Sequence, residues 1–271
     1  MHNAIDLYKY FGIERRGAKG GFLTVYGKER PERGPALLVI PGGGYDFVAD
    51  IEGKPIADRY AEEGYSSFVL DYSVHTEYPA PLYEAMLAVA YIRADSDKYN
   101  IDPEHVTAIG FSAGGHLAGL LATSAQDEAN AIGKRIEEVK PNTVILSYPV
   151  ITTGKFTHGA TREHITGGNE DLYEKLSVEK RVDANATPAF IWHTYEDECV
   201  PVENSMLLAA AYRRHGVPFA LHIFEHGRHG MSLATQELCD FSREQRFLTS
   251  VGKWVDLSLD WIASRQLSNK E

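Results

Sequence analysis

Short apolar or β-branched runs alternate along this chain with longer amphipathic stretches, the pattern of a mostly parallel sheet covered by helices. The short runs predict strands at Phe22 to Tyr26, Leu37 to Ile40, Ser67 to Asp71, Val106 to Gly110, Val144 to Ser147, Ala189 to His193 and Phe219 to Phe224. Several are apolar at consecutive positions, as strands buried on both faces must be. The longer stretches predict helices at Pro55 to Glu63, Pro81 to Tyr99, Ala113 to Ser124, Val202 to His215 and Arg243 to Arg265. Pro81 suits a first turn, where its missing N–H costs nothing, and Gly216 suits the stop after His215. In the last helix Val251, Val255, Leu259 and Ile262 recur at helical spacing, with Trp254 and Trp261 widening the stripe. That spacing predicts packing on the sheet rather than stacking on a sugar. Thr152 to Asn185 is the least regular stretch, with Gly154, Gly159, Gly167 and Gly168 among mixed charges. An insertion there is expected to project from the sheet's edge as a cap or rim, at about residues 152–185.

No repeat, low-complexity tract or Pro/Gly/Ser-rich linker divides the 271 residues, so a single α/β domain over residues 1–271 is expected. A hydrophobic content of 44% is enough for one large core. The net charge of −11, with no Lys/Arg-rich run, argues against a nucleic acid or an anionic membrane as partner, since both reward a basic patch. The N-terminal residues lack the pattern of a secretory signal, and no segment is long and apolar enough to span a bilayer, so a cytoplasmic setting is expected. Cys199 and Cys239 are then expected as free thiols. A small-molecule substrate is the expected partner, and a homo-oligomer is left open.

The candidate chemistry centres on IGFSAGGH, where Ser112 stands between Gly110 and Gly114. Such spacing builds a nucleophile elbow, a sharp strand-to-helix turn that pushes the serine clear of the sheet and brings neighbouring backbone too close for side chains at the glycines. A serine hydroxyl attacks only if a base takes its proton and an acid holds that base. In this kind of fold the order is serine, acid, histidine, each on a loop after a strand. PAFIWHT running into YEDECVP puts Asp197 on such a loop, with Glu196 and Glu198 as rivals. ALHIFEH running into GRHGMSL puts His229 on the next, with His222, His226, His193 and His116 as rivals. His116, in the first turn after the elbow, reads as a packed, hydrogen-bonded support, and Cys199 as packing. LLVIPGGGY ends a strand in three glycines, whose backbone can turn N–H groups toward the serine. Gly43 and Gly44, joined by Ala113, are the candidate oxyanion-hole donors. Tyr45, Trp192 and Tyr195 are candidate pocket walls. The eleven histidines show no HExxH spacing and there is no cysteine cluster, so neither a metal nor a cofactor is expected.

These motifs resemble the esterase branch of the α/β-hydrolases that includes bifunctional acetyl xylan and feruloyl esterases and related carbohydrate acetylesterases. The resemblance runs from PGGGY through EGKPIADRYAEEGYSSFVLDYSV, YNIDPEHVTAIGFSAGGHLAG and LSYPVIT to TPAFIWHTYEDECVPVENSMLLAAAYRRHGVPFALHIFEHGRHGMSLA and the C-terminal helix. It implies an eight-stranded, mainly parallel sheet, Ser112 as nucleophile, Asp197 as orienting acid, His229 as base, and small acyl esters of sugars as substrates. Many relatives have HGGG where Pro41 precedes Gly42 here, so the supporting role of that histidine is absent or filled by another residue. Two other functions are weighed: an amide hydrolase, such as a formamidase or aminopeptidase, on the same triad, and a non-catalytic binding protein on a hydrolase scaffold.

Overall fold

The computed structural model describes residues 4–15, 18–27, 32–238 and 245–268. Eight strands form one sheet: β1 (Ile5–Asp6), β2 (Phe22–Tyr26), β3 (Gly34–Ile40), β4 (Ser66–Asp71), β5 (Ile101–Phe111), β6 (Thr143–Ser147), β7 (Ala189–Thr194) and β8 (Phe219–Phe224). Their order is β1-β2-β4-β3-β5-β6-β7-β8; β2 runs antiparallel to both its neighbours, and every pairing from β4 to β8 is parallel. The seven strands expected from the sequence are present, some longer than expected. The eighth, β1, is two residues long, too short for periodicity to announce.

Helices α1 (Leu7–Phe11), α2 (Lys54–Glu62), α3 (Ala80–Ala94) and α4 (Ala113–Ala122) precede β6, with the short α5 (Gln126–Asn130) and α6 (Ile136–Val139). After β6 come α7 (Gly159–Thr166), α8 (Asp171–Leu176), α9 (Val178–Arg181), α10 (Glu203–His215), α11 (Gln245–Val251) and α12 (Trp254–Ser268). Two core clusters flank the sheet, and the strands feed them by strict alternation. Leu38 and Ile40 of β3, Ala108 of β5 and Ile191 of β7 pack with α3 and α4. Leu37 and Val39, Ile109 and Phe111, and Phe190 and Trp192 face the other way, toward α2, α11 and α12. Because both faces are covered, these strands are apolar at nearly every position.

Three expectations about elements need correction. The helix expected over Pro81 to Tyr99 ends at Ala94, and Ser96–Tyr99 tightens into a 3₁₀ turn. The C-terminal helix is two helices, broken at Gly252 and Lys253, where the Gly252 N–H closes the first by donating to Leu248 O at 2.8 Å. Glycine is a poor continuation for a helix. Its stripe still packs as expected, with Val251, Trp254, Val255 and Ile262 buried; Arg243 lies outside the described residues. Finally, Thr152 to Asn185 does not arise at an edge strand. It is the β6-to-β7 crossover, between two interior strands, and folds into α7, α8 and α9. Ile165, Leu176, Val178 and Val182 anchor it in the main core. No helix among the described residues is long and apolar enough to cross a membrane.

Candidate active site

Register brings the site together at the carboxyl ends of the parallel strands, where loops of α/β sheets gather ligands. Ile40 pairs with Gly110 and Gly110 with Leu146, so the glycine loop after β3 ends level with the elbow after β5. At the elbow Ser112 holds φ 52° and ψ −117°, a strained conformation for a residue with a side chain. The flanking glycines are required sterically. A Cβ at Gly110 would collide with the Gly114 carbonyl, and one at Gly114 with the carbonyl oxygens of Ile40 and Pro41. The Ser112 N–H donates to Ser147 O at 3.0 Å, tying the turn to β6.

The loops after β7 and β8 bring Asp197 and His229 to this serine. His229 Nε2 lies 2.8 Å from Ser112 Oγ, and its Nδ1 lies 2.7 Å from Asp197 Oδ2. An ionised carboxylate only accepts, so Nδ1 carries the ring proton and Nε2 is left to accept from the serine hydroxyl. Asp197 is buried. Burial alone would raise its pKa, but hydrogen bonds from His193 and His229 outweigh burial and hold the carboxyl well below the usual carboxylate range. Its other oxygen accepts from the N–H groups of Cys199 at 3.0 Å and Val200 at 2.9 Å.

Glu198 is exposed on the rim of a cleft beside His229, and the other rival residues are engaged elsewhere. Glu196 pairs with His226 at 2.9 Å. His193 sits behind Asp197, its Nε2 between Val200 O at 2.9 Å and Asp197 Oδ2 at 3.3 Å, and its Nδ1 on the Ser205 hydroxyl. His222 stacks on Phe190 within the sheet's flank. His116 is the buried support its position suggests: Nδ1 accepts from the Tyr45 hydroxyl, Nε2–H donates to Leu176 O, and burial pushes its pKa down to about 4.

On the other side of Ser112, Gly43 and Gly44 hold φ of 118° and 66°, values glycine adopts without strain. Among the described residues, no protein acceptor takes the N–H groups of Gly43, Gly44 or Ala113. The neighbouring Gly42 N–H is instead committed to the carboxylate of Glu52 at 2.8 Å. Sequence reasoning missed Glu52, which is buried and also accepts from the Tyr148 hydroxyl at 2.6 Å. Burial raises its pKa, opposed by hydrogen bonds from Tyr148 and Gly42. The Tyr148 ring meets His229 edge-on at 5.1 Å, so one acid–phenol pair touches both the glycine loop and the base. Tyr72 adds a hydrogen bond to Pro41 O at 2.8 Å. Together Glu52 and Tyr72 hold the loop. His158, at the N-cap of α7, faces Gly44 and was also not foreseen.

The candidate pocket walls fare differently. Tyr45 is fully buried, pointing inward to His116, and Trp192 is fully buried, stacked on Trp254 at 5.1 Å with its Nε1–H on Ser147 Oγ. Both are core; Trp192 shares the inward face of β7 with Phe190. Only Tyr195, 68% exposed, faces solvent. Cys199 is exposed rather than packed, and its backbone N–H donates to Asp197; partial desolvation and the Asp197 charge raise its pKa. Cys239 lies outside the described residues. A cleft of about 510 Å³ beside His229 is lined by Glu196, Glu198, Cys199, Gly227 and Arg228. A larger cavity of about 820 Å³, between Tyr78, Lys140 and Arg181, holds none of Ser112, Asp197 and His229. Among the described residues, one trio has metal-ligand chemistry: Asp46, His75 and His164.

Comparison with known proteins places the chain in a family. The family model BD-FAE matches residues 23–212. Endo-1,4-beta-xylanase B of Butyrivibrio fibrisolvens is 41% identical over 209 residues, 74% of this chain and 33% of that protein. Acetylxylan esterase of Xylanibacter ruminicola is 30% identical over 231 residues, 82% of this chain and 45% of that protein. The chain thus spans a third to under a half of the length of these two relatives. Among solved structures, the acetyl ester-xyloside bifunctional hydrolase from Caldicellulosiruptor lactoaceticus superposes with a TM-score of 0.84 at 36% identity, covering 98% of this chain and 97% of that one. An eight-stranded, mostly parallel sheet, a strained serine elbow and these matches lead to one conclusion: the chain belongs to the BD-FAE family of α/β-hydrolase esterases.

Proposed function

We propose that the chain is a serine carboxylesterase that removes short acyl groups, acetyl first among them, from carbohydrate esters such as acetylated xylo-oligosaccharides. The observation that carries this reading is the hydrogen-bonded line Ser112–His229–Asp197 at the elbow, beside a glycine loop whose Gly43 and Gly44 N–H groups no protein acceptor among the described residues takes. Ser112 Oγ attacks the ester carbonyl carbon as His229 Nε2 takes its proton, and Asp197 steadies the imidazolium. Gly43, Gly44 and Ala113 receive the negative charge that develops on the carbonyl oxygen, each donor worth about 2.7–4 kcal/mol in the transition state. His229 then protonates the departing sugar alkoxide, leaving an acyl-enzyme on Ser112. Water repeats the sequence, giving the free acid and restoring the serine.

The site favours ester over glycoside cleavage, although a relative carries a xylanase name. Hydrolysis of a glycosidic bond typically uses two carboxyl groups flanking it. Asp197 is buried and held by His193, His229 and two backbone N–H groups, and Glu52 is buried against Gly42 and Tyr148. Neither is free to flank a sugar, and a glycosidase reading would have to rest on Glu196 and Glu198, the exposed carboxylates lining the cleft beside His229.

Acetate release from acetylated xylo-oligosaccharides, run beside an aryl acetate and with Ser112→Ala as control, tests the proposal. Serine-dependent release from the sugar is the expected result. Turnover of the aryl acetate alone would refute the sugar substrate, and faster turnover of aryl formamides or aminoacyl anilides would replace the esterase reading by an amide hydrolase. No turnover of any of these would favour a binding protein on the hydrolase scaffold.

A further inference from the structure

We propose that Asp46, His75 and His164 form a binding site for a divalent transition metal of the zinc type at the mouth of the candidate active site. The three come from separate segments: the turn after the glycine loop, the loop after β4, and α7. One ligand atom from each lies within 4.8 Å of the other two. His75 Nε2 is 2.8 Å from Asp46 Oδ1, and the two imidazole rings meet at 5.3 Å. A tetrahedral ion with ligands about 2.0–2.2 Å away needs donors somewhat over 3 Å apart, so the two pairs must adjust by small side-chain rotations.

The state of His164 is what distinguishes the trio from a chance surface cluster. Its Nδ1 lies 2.9 Å from the carbonyl oxygen of Gly44, which can only accept. Nδ1 therefore carries the proton, and Nε2 keeps the lone pair that a metal requires. Metal-ligating histidines characteristically donate their other ring N–H to a backbone carbonyl in this way, which fixes tautomer and ring orientation before the ion arrives. The other two ligands are tethered to the same loop. The His75 N–H donates to Tyr45 O and the Asp46 N–H to Gly43 O, each at 2.9 Å. Asp46 and His75 are exposed and His164 half-buried, which gives an ion a way in.

Two imidazoles and one carboxylate suit zinc or a neighbouring first-row ion, not magnesium or calcium, which take oxygen donors. In binding, the ion takes the place of the hydrogen that now bridges His75 Nε2 and Asp46 Oδ1; that proton moves to His75 Nδ1 or to solvent. Three protein ligands leave a fourth position open for water or a hydroxyl. The bound ion would join α7 to the loop carrying Gly44.

The test is titration of the chelator-stripped full chain with Zn²⁺ by calorimetry and with Co²⁺ by visible absorption, readouts that need no hydrolysis. One equivalent should bind, with the absorption of a four-coordinate cobalt site. Affinity should fall about tenfold or more in Asp46→Asn, His75→Gln and His164→Gln, each checked for native circular dichroism, and should be unchanged in His229→Ala. Binding that survives the three substitutions, that disappears in His229→Ala, or that is absent at about 1 mM Zn²⁺ would overturn the proposal.

Discussion

A methyl group at position 114 would overlap the Ile40 and Pro41 carbonyl oxygens, both backbone atoms that cannot step aside. Gly114→Ala should therefore destabilise the protein by about 3 kcal/mol or more, the upper end of overpacking, read by denaturant titration. Gly159, at the start of α7, has open space where a Cβ would stand, so Gly159→Ala should be neutral or stabilising by up to about 1 kcal/mol. Steric demand at the elbow was legible in the sequence because GxSxG is local. Glu52 was not, because its partners Gly42 and Tyr148 are 10 and 96 residues away, and nothing in DIEGKP marks a buried acid. Glu52→Ala should strand the Gly42 N–H and lower kcat about 10–100-fold, the equivalent of about 1–3 kcal/mol for an orphaned buried donor. Glu52→Gln, which keeps an acceptor, should restore much of that loss. Equal kcat in Glu52→Ala and the parent would remove Glu52 from the positioning of the loop.

The C-terminal helix reaches the site through a relay of contacts. Trp254 Nε1–H donates to Ser232 O at 2.9 Å, the Ser232 N–H donates to the Tyr148 hydroxyl at 2.9 Å, and that hydroxyl donates to Glu52. Trp254 also stacks on Trp192. Trp254→Ala should cost about 3–5 kcal/mol of stability, as expected for emptying a large buried side chain. Trp254→Phe, which keeps an aromatic ring but loses the indole N–H, should cost about 1 kcal/mol for the lost hydrogen bond beyond the effect of its smaller volume. Thermal unfolding of both variants gives the comparison. Helical spacing was enough to foresee that Trp254 packs inward. It could not foresee the break at Gly252, since the apolar stripe runs through the break unaltered. Trp192 could have been read correctly: on β7 it shares parity with Phe190, and a residue on an inward face is not a pocket wall.

Across the whole molecule, folding is coupled to pH through Glu84 on α3. This buried side chain accepts from the Ser73 N–H and hydroxyl, each at 2.6 Å, and from the Tyr8 hydroxyl, joining α1, α3 and the loop after β4. Burial raises its pKa from 4.5 to about 7 despite those hydrogen bonds. A carboxyl with a raised folded pKa contributes most below its unfolded value and loses that contribution as pH rises through the folded one. The Glu84 contribution is therefore full below about pH 4.5 and lost by about pH 7. Glu84→Gln should flatten the fall in stability over that window, measured by denaturation at several pH values. At this scale the sheet, its helical layers and the residues at the strand ends were legible, because they follow from periodicity and strand order. The placement of residues 152–185 was not, because topology decides which strands a crossover joins. The account rests on Ser112 being activated by His229 at the elbow. Reaction of the full chain with a fluorophosphonate, followed by mass spectrometry of the peptides, measures that directly. One adduct per chain on Ser112, absent in Ser112→Ala and strongly slowed in His229→Ala, is the predicted result; no adduct, or an adduct on another residue, would contradict it.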